Sequence, residues 1–323
     1  DIPIFKGALG EQNYPGNESG DVAISPNGEL LAVTGVNSNS PILLIDVSEP
    51  SAFLSELPNE LARFYPDWYS QGIEFIDDNI LAIGSAINGL NLFDISQYES
   101  WDPLISEDEQ WAPTSILNFD SDGNNTLDIL LGSNRNNLYL IDDDKGIEFV
   151  DISNIQKPII NWTYGNEGGD KPGYAKGVDL VQINESSFAA TFRKDWNEPL
   201  EREYDEFELF NVDNGIITTE SAQSILYRSG ADEEYGSDLK LAYSSSDDVL
   251  FVSSKGLGIS SYDISDLSLP VKKDFYHRYE EGDIGTIADI AISPDNDNLL
   301  YAATSYGLHV FDIENPSEIS LKG

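Results

Sequence analysis

The sequence predicts an all-β chain built from one supersecondary unit repeated six times, and three observations carry that prediction. A short hydrophobic run closing on Asp or Asn recurs as Ile42–Asp46, Leu90–Asp94, Ile147–Asp151, Phe207–Asn211, Ile259–Asp263 and Leu308–Asp312. Its template is hydrophobic-x-hydrophobic-hydrophobic-Asp/Asn, broken only at Ser261, and successive closing residues lie 48, 57, 60, 52 and 49 positions apart. Further apolar segments precede the runs, separated from them by turn formers. Finally, no stretch of a dozen residues carries apolar positions at helical spacing. A period of about fifty residues means a unit repeated around an axis or along a solenoid.

The segment just ahead of each run is Leu30–Gly35, Ile80–Ala86, Leu138–Ile141, Ser187–Phe192, Val249–Ser253 or Leu299–Ala303. A third segment precedes most of these: Asp21–Ser25, Gly72–Ile76, Gly177–Ile183, Leu239–Tyr243 and Ile287–Ile292. All are short, often alternating, and rich in Val, Ile, Leu, Phe and Tyr, which is strand chemistry. Ser25-Pro-Asn-Gly28, Asp77-Asp-Asn79, Asn184-Glu-Ser186, Ser246-Asp-Asp248 and Ser293-Pro-Asp-Asn296 separate them with residues that suit tight hairpins. Gly89, Gly146, Gly258 and Gly307 directly precede four of the runs. With the variable stretch that follows, each unit reads as a four-stranded antiparallel meander. Six in sequence make a single β-propeller over residues 1–323, with six four-stranded blades. A seventh, irregular blade within Trp101–Phe119 or Ile216–Gly236 is the alternative count. Ile2–Leu9 is expected to add a strand to the last blade and so remove open sheet edges.

The segments Ile45-Asp-Val-Ser-Glu-Pro50, Phe93-Asp-Ile-Ser96, Val150-Asp-Ile-Ser-Asn154, Tyr262-Asp-Ile-Ser265 and Phe311-Asp-Ile-Glu-Asn-Pro316 resemble the LVIVD-repeat family of bacterial and archaeal propellers. The resemblance runs along about the whole chain in degenerate copies, and implies architecture and a surface-associated setting more than an activity. Blade four departs most, closing on Asn211-Val-Asp213 without a preceding Gly.

The charge balance is extreme: 17 basic against 58 acidic residues, a formal net charge of −41, and a pI near 4.1. Such a surface repels phosphates and anionic lipid, which argues against nucleic acid and membrane surfaces as partners. The acidity fits a need for cations, a saline setting, or high solubility, and salt would screen the mutual repulsion. The absence of Cys excludes disulfides and thiolate metal sites. No apolar run is long enough to span a bilayer. The absence of Met, even at position 1, reads as a processed or excised piece, and the expected setting is extracellular or cell-surface, with the signal peptide already removed.

One segment carries specific chemistry. Asp120-Ser-Asp-Gly-Asn-Asn-Thr-Leu-Asp128 puts side-chain oxygens of Asp120, Asp122, Asn124 and Asp128 at loop positions 1, 3, 5 and 9, with the Thr126 carbonyl at 7. Ca²⁺ takes six to eight hard oxygen ligands, and alternate residues of a tight loop turn theirs inward. The segment resembles the calcium loops of FG-GAP and integrin-type propellers, including the apolar exit Ile129-Leu-Leu-Gly132, and the resemblance implies a structural Ca²⁺. Asn124 replaces an Asp and Asn125 replaces a Gly of that pattern, and an Asx-rich turn is the plain alternative. The acidic clusters Asp142–Gly146, Asp232–Tyr235 and Tyr279–Asp283 read as solvated turns.

Catalytic motifs are sparse. His277 and His309 are the two histidines, and no nucleophile elbow, metal-binding His pair or phosphate loop occurs. The chain lacks the Asp-Ala-Asp-Asp-Pro-Ala signature of calcium-dependent phytate-hydrolysing propellers, and its few basic residues scatter. Two carboxylates suffice for a glycosidase, so composition leaves a calcium-dependent hydrolase or lyase in the central channel as the competing reading. The insertions Asn161–Lys176 and Arg193–Glu206, and Phe64–Tyr69 before blade two, combine aromatic with charged residues. Trp162, Tyr164, Trp196, Tyr204 and Trp68 are the candidate partner-binding residues, since Trp and Tyr dominate binding hot spots and loops on rigid scaffolds carry function. The expected role is an adhesion or binding module for a protein or glycan ligand, stabilised by Ca²⁺ and belonging to a larger surface protein or assembly. A structural subunit of a surface filament or layer is the remaining alternative.

Overall fold

The computed structural model describes residues 19–35, 41–48, 60–65, 70–85, 89–102, 112–119, 126–142, 146–164, 175–197, 202–213, 216–225, 239–279, 282–293 and 296–323. Blade one is β1 (Ser19–Ile24), β2 (Leu30–Gly35), β3 (Ile42–Asp46) and β4 (Glu60–Phe64). Blade two is β5 (Ser70–Asp77), β6 (Ile80–Ser85), β7 (Gly89–Asp94) and β8 (Thr114–Phe119). Blade three is β9 (Thr126–Leu131), β10 (Asn137–Asp142), β11 (Gly146–Asp151) and β12 (Ile159–Tyr164). Blade four is β13 (Ala175–Gln182), β14 (Ser187–Asn197), β15 (Arg202–Asp213) and β16 (Ile216–Ile225). Blade five is β17 (Leu239–Ser244), β18 (Val249–Ser254), β19 (Gly258–Asp263) and β20 (Val271–His277). Blade six is β21 (Ile287–Ile292), β22 (Leu299–Thr304), β23 (Gly307–Asp312) and β24 (Ser320–Leu321). In each four-stranded sheet the strands neighbour one another in chain order, and this all-β meander is that of a six-bladed β-propeller. A 3₁₀ turn at Tyr98–Ser100 is the helical element among the described residues. Blades one to three belong to a compact unit, Pro3–Thr163, and blades four to six to a second that runs from Tyr164 to Gly323.

The recurrent sequence run has a direct physical meaning. Its closing Asp ends the third strand and caps the turn that follows, Oδ1 accepting the backbone N–H two residues on. Ser48, Ser96, Ser153 and Ser265 donate to Asp46, Asp94, Asp151 and Asp263 at 2.9, 2.9, 2.8 and 3.1 Å, and Glu314 donates to Asp312 at 3.0 Å. The residue after the Asp latches the blade: its N–H reaches the carbonyl in the hairpin turn joining strands one and two. These bonds are Val47 to Glu29, Ile95 to Asn79, Ile152 to Asn136, Val212 to Ser186, Ile264 to Asp248 and Ile313 to Asn298, all 2.8–2.9 Å. Ile95, Ile152, Ile264 and Ile313 bury their side chains in the core. In blade four Asn211 takes another role, accepting from Ser187 Oγ at 2.7 Å and donating to Glu220 at 3.0 Å. Gly89, Gly146, Gly258 and Gly307 all have positive φ, between 64° and 139°, so the third strand opens in a conformation that disfavours a side chain.

Cores form where neighbouring blades pack face to face. Ala23, Ala32, Ile42 and Leu44 meet Ile73, Phe75 and Leu81 between blades one and two, and Ala82, Leu90 and Leu92 meet Leu138, Leu140 and Val150 between two and three. In the second unit Phe207 and Leu209 pack with Leu241 and Leu250, and Phe251 and Tyr276 with Leu300 and Phe311. Gly72 is required by close packing, since a Cβ there would lie 2.7 Å from Asp128 Cα.

Several expectations change. Trp101–Phe119 and Ile216–Gly236 hold no seventh blade among the described residues: Thr114–Phe119 and Ile216–Ile225 are the fourth strands of blades two and four. Among the described residues the fourth strand of blade six is Ser320–Leu321; the strand expected from Ile2–Leu9 falls outside them, and that expectation stands as it was. The first strand of blade three, unassigned from sequence, begins inside the calcium-like segment at Thr126. Asp142, expected to be solvated, is fully buried at the end of β10.

Two predictions follow from the latch. Ile95→Ala or Ile264→Ala should each cost about 2–4 kcal/mol in urea denaturation, because a fully packed Ile leaves a cavity. The capping hydrogen bonds hold Asp94 and Asp151 below the ordinary carboxylate range, as do Lys322 and Glu314 for Asp312. Lys273 and then Ser265 bring Asp263 to about 2. A depressed folded value gives stability that is present above the unfolded pKa and lost as pH falls through the folded one. Urea midpoints should therefore drop between about pH 4 and 2, and D94N/D151N/D312N, which keeps a capping oxygen without the charge, should flatten that drop.

Candidate functional site

An acidic residue followed by three mostly apolar ones lies within the first strand of four blades: Asp21-Val-Ala-Ile24, Asp128-Ile-Leu-Leu131, Asp179-Leu-Val-Gln182 and Asp289-Ile-Ala-Ile292, with Lys240 at this place in blade five and Gly72 in blade two, where the acid Glu74 comes two residues later. Two of these carboxylates clasp neighbouring blades. Asp21 Oδ1 accepts from Val22 N at 2.7 Å and Oδ2 from Ile73 N of the next first strand at 2.9 Å. Asp179 repeats the arrangement, accepting from Leu180 N at 3.0 Å and from Leu241 N at 2.6 Å. Aligning the first-strand segments on their shared apolar triplet would have revealed these four acids from sequence, but the closing-Asp repeat drew the alignment to the third strand instead.

In the first unit Asp21, Glu74 and Asp128 come together from three adjacent first strands. Glu74 is half-buried, and burial followed by the Asp21 carboxylate pushes it up to about 7; Arg135 opposes the shift and Asp128 adds to it. Arg135, in the turn after β9, donates through Nη2 to the Phe75 carbonyl at 2.8 Å and through Nε to that of Ile76 at 3.0 Å, tying blade three to blade two. Among the described residues no group of three or more acidic or imidazole side chains is arranged to hold a metal ion.

Of the calcium-like segment, Asp120, Asp122 and Asn124 lie outside the described residues, and Thr126 and Asp128 lie within β9. Thr126 is completely buried and its Oγ1 has no hydrogen-bond partner among the described residues. Asp128 is half-buried, its Oδ1 accepting from Ile129 N at 2.8 Å. Both offer oxygen, which fits the donor preference of a hard cation.

The partner-binding candidates divide. Trp162 and Tyr164 belong to strand β12 rather than to a connecting loop. Trp162 is 8% exposed and stacks on Phe149 at 5.2 Å and 7°, with Tyr139 at 6.2 Å. The Tyr164 ring packs 4.3 Å from that of Phe210, while its hydroxyl donates to Glu208 and pairs with Thr219 Oγ1 at 2.7 Å. Their apolar surface is spent on packing because the alternation of β12 turns Trp162 inward. Trp196 and Tyr204 fall on β14 and β15, which extend as the expected long hairpin, Lys194 opposite Tyr204. Trp68 lies outside the described residues.

Of the exposed large apolar side chains, which also include Val22, Ile24, Tyr65, Ile159 and Ile216, four on blades five and six lie at corresponding ends of their blades. Leu257 sits in the β18–β19 turn, Tyr306 in the β22–β23 turn, Tyr279 just past β20 and Leu308 on β23. In a meander, the hairpin joining strands two and three and the link leaving strand four share one end of the blade, so these residues lie at that end. Tyr306 is 66% exposed, Leu308 56% and Tyr279 45%. Backbone bonds brace the surface: Arg278 N to Leu257 O at 3.1 Å, Ile287 N to Lys255 O at 3.0 Å and Ser305 N to Thr286 O at 2.9 Å. The Arg278 guanidinium lies 4.3 Å from the Tyr279 ring centre. Phe275, His277 and Tyr279 form a row of rings, 5.9 and 5.4 Å apart. His309, on β23, is half-buried with Nδ1 3.2 Å from Thr304 Oγ1.

No family model and no curated protein matches the chain. Among solved structures, Sqt1 of Saccharomyces cerevisiae matches with a TM-score of 0.63 at 12% identity, over 94% of this chain and 72% of that one. The likeness establishes the fold and leaves the role to the side chains.

The Glu74 environment makes a pH prediction. Its folded pKa, about 7, is above the unfolded value of 4.5, so its carboxylate weighs against folding increasingly as pH rises between the two. Glu74→Gln should match the wild type at pH 4.5 and exceed it at pH 8 by up to about 3 kcal/mol, read from urea denaturation curves.

Proposed function

We propose that this β-propeller is a binding module that recognises a protein or glycan ligand through the hairpin ends of its blades. The exposed group Leu257, Tyr279, Tyr306 and Leu308 carries the reading, because rings held on a braced backbone offer contact area at small entropic cost. Tyrosine beside a guanidinium is typical of binding hot spots. The LVIVD-like repeats and the acidity support an extracellular or cell-surface setting within a larger protein or assembly. The test begins with the labelled chain on a glycan array and on a panel of purified extracellular-matrix proteins. Tyr279→Ala/Tyr306→Ala should melt with the wild type yet lose about tenfold or more in affinity for whichever ligand is retained. Full retention by the double variant would move recognition elsewhere and defeat this assignment.

A structural Ca²⁺ is part of the proposal, held by Asp120, Asp122, Asn124, the Thr126 carbonyl and Asp128, where it would neutralise charge at the entrance to β9. A ligand bound only by the folded state stabilises it by about 2.7 kcal/mol at a hundredfold excess over Kd. Thermal melts in Ca²⁺ and in EGTA should differ accordingly for the wild type and coincide for Asp122→Ala/Asp128→Ala; coincidence in the wild type would reduce the segment to an Asx-rich turn.

Glu74 gives the hydrolase or lyase reading its one specific support. A buried carboxyl whose pKa is raised to about 7 beside two further carboxylates has the properties of a general acid. Turnover of chromogenic glycosides that is lost in Glu74→Gln and declines above about pH 7 would favour it.

A further inference from the structure

The chain contains Asn-x-Ser/Thr triplets with a non-proline middle residue at Asn17-Glu-Ser19, Asn124-Asn-Thr126, Asn161-Trp-Thr163 and Asn184-Glu-Ser186. That pattern is the acceptor for N-linked glycans. It recurs by chance in a chain so rich in Asn and Ser, so local geometry must choose among the copies. Asn17 and Asn124 lie outside the described residues. Asn161 and Thr163 are exposed on β12, where side chains two apart stand about 7 Å from each other.

Asn184 is different. It lies exposed in the β13–β14 hairpin turn, and its Oδ1 accepts from Ser186 N at 3.0 Å, Ser187 N at 3.0 Å and the Ser186 hydroxyl at 3.3 Å. With the oxygen branch of the carboxamide held against the turn, the Nδ2 branch is directed away from it. The blade latch makes the turn rigid, because Val212 N donates to the Ser186 carbonyl at 2.8 Å. Asn134, Asn154, Asn296 and Asn315 also accept a backbone N–H from two residues on. In the first three, however, that residue is Asn136, Gln156 or Asn298, and Pro316 occupies the middle of the fourth. Among these described Asn turns, the required hydroxyl reaches the acceptor amide at Asn184.

We propose that Asn184 is an acceptor site for an N-linked glycan, with a polyprenyl-pyrophosphate oligosaccharide as donor and an oligosaccharyltransferase as catalyst. Nδ2 bonds to the anomeric carbon, the bond from that carbon to the pyrophosphate oxygen breaks, polyprenyl pyrophosphate leaves with the electron pair, and the Nδ2 proton passes to the transferase. In the cell this depends on the extracytoplasmic setting proposed above, where such donors are used.

The test treats the purified, folded chain with a single-subunit oligosaccharyltransferase and a polyprenyl-pyrophosphate oligosaccharide, followed by intact-mass and peptide mapping. The wild type should gain one oligosaccharide on the peptide containing Asn184. Asn184→Gln should gain none there, Ser186→Ala at least tenfold less, and Ser186→Thr and Asn161→Gln as much as the wild type; melting curves confirm that each variant is folded. An unmodified wild type, or modification of Asn184→Gln equal to that of the wild type, would overturn the proposal. The reaction uses no cellular compartment, so its outcome is separate from the extracytoplasmic reading, which fractionation of the source cells decides.

Discussion

The architecture depends on one backbone hydrogen bond per blade, the latch from the residue after the closing Asp or Asn to the turn between strands one and two. That bond lies at the point where the chain leaves the third strand and must turn towards the fourth. Without it, an exposed connection would have to order itself against the entropy of a variable stretch. Three chemical demands meet in two adjacent residues. The Asp supplies an acceptor for the turn, the following N–H closes onto the first hairpin, and the side chain of that same residue fills the core between strands. A residue without an acceptor oxygen fails the first demand and a polar one the third, which explains why Asp-Ile or Asp-Val recurs while the sequence around it drifts.

Between blades the same economy applies to charge. The chain is strongly acidic, yet several carboxylates are structural acceptors rather than idle surface. Asp21 and Asp179 each bind the N–H of their own strand and one from the neighbouring blade, and Asp274 accepts from Ile319 N at 2.7 Å. A carboxylate taking two backbone donors keeps its charge at little cost, because charge-assisted bonds replace hydration. Glu74 is taken out of water by burial and stands near Asp21 and Asp128, so its charge is opposed and its pKa rises. Asp21 and Glu74, on adjacent first strands, differ accordingly: Asp21 is spent on two backbone N–H groups, whereas Glu74 is buried beside other carboxylates.

This division of labour also separates framework from recognition. Aromatic residues that look alike in composition have opposite fates: Trp162 and Tyr164 complete the packing of blades, whereas Tyr279 and Tyr306 stand clear at turn ends. A strand assigns alternate side chains to its two faces, so an aromatic on one face of β12 is committed to a neighbour. A turn residue has no opposing sheet, and its ring remains in solvent, available to a ligand.

By itself, the sequence determined the number and nature of the repeats, because hydrophobic spacing, positive-φ glycines and Asx turns are local requirements written in adjacent residues. The long hairpin of blade four was legible for the same reason. Only the tertiary structure decided which aromatics are buried, that β9 begins within the calcium-like segment, that Asp142 lies inside, and that Asp21, Glu74 and Asp128 converge. Those facts depend on contacts between strands some fifty residues apart, such as Asp21 with Ile73, and neither spacing nor composition encodes how closely two blades approach. Gly72 shows the limit: its sequence context is that of any strand glycine, and its necessity comes from the Asp128 backbone packed against it.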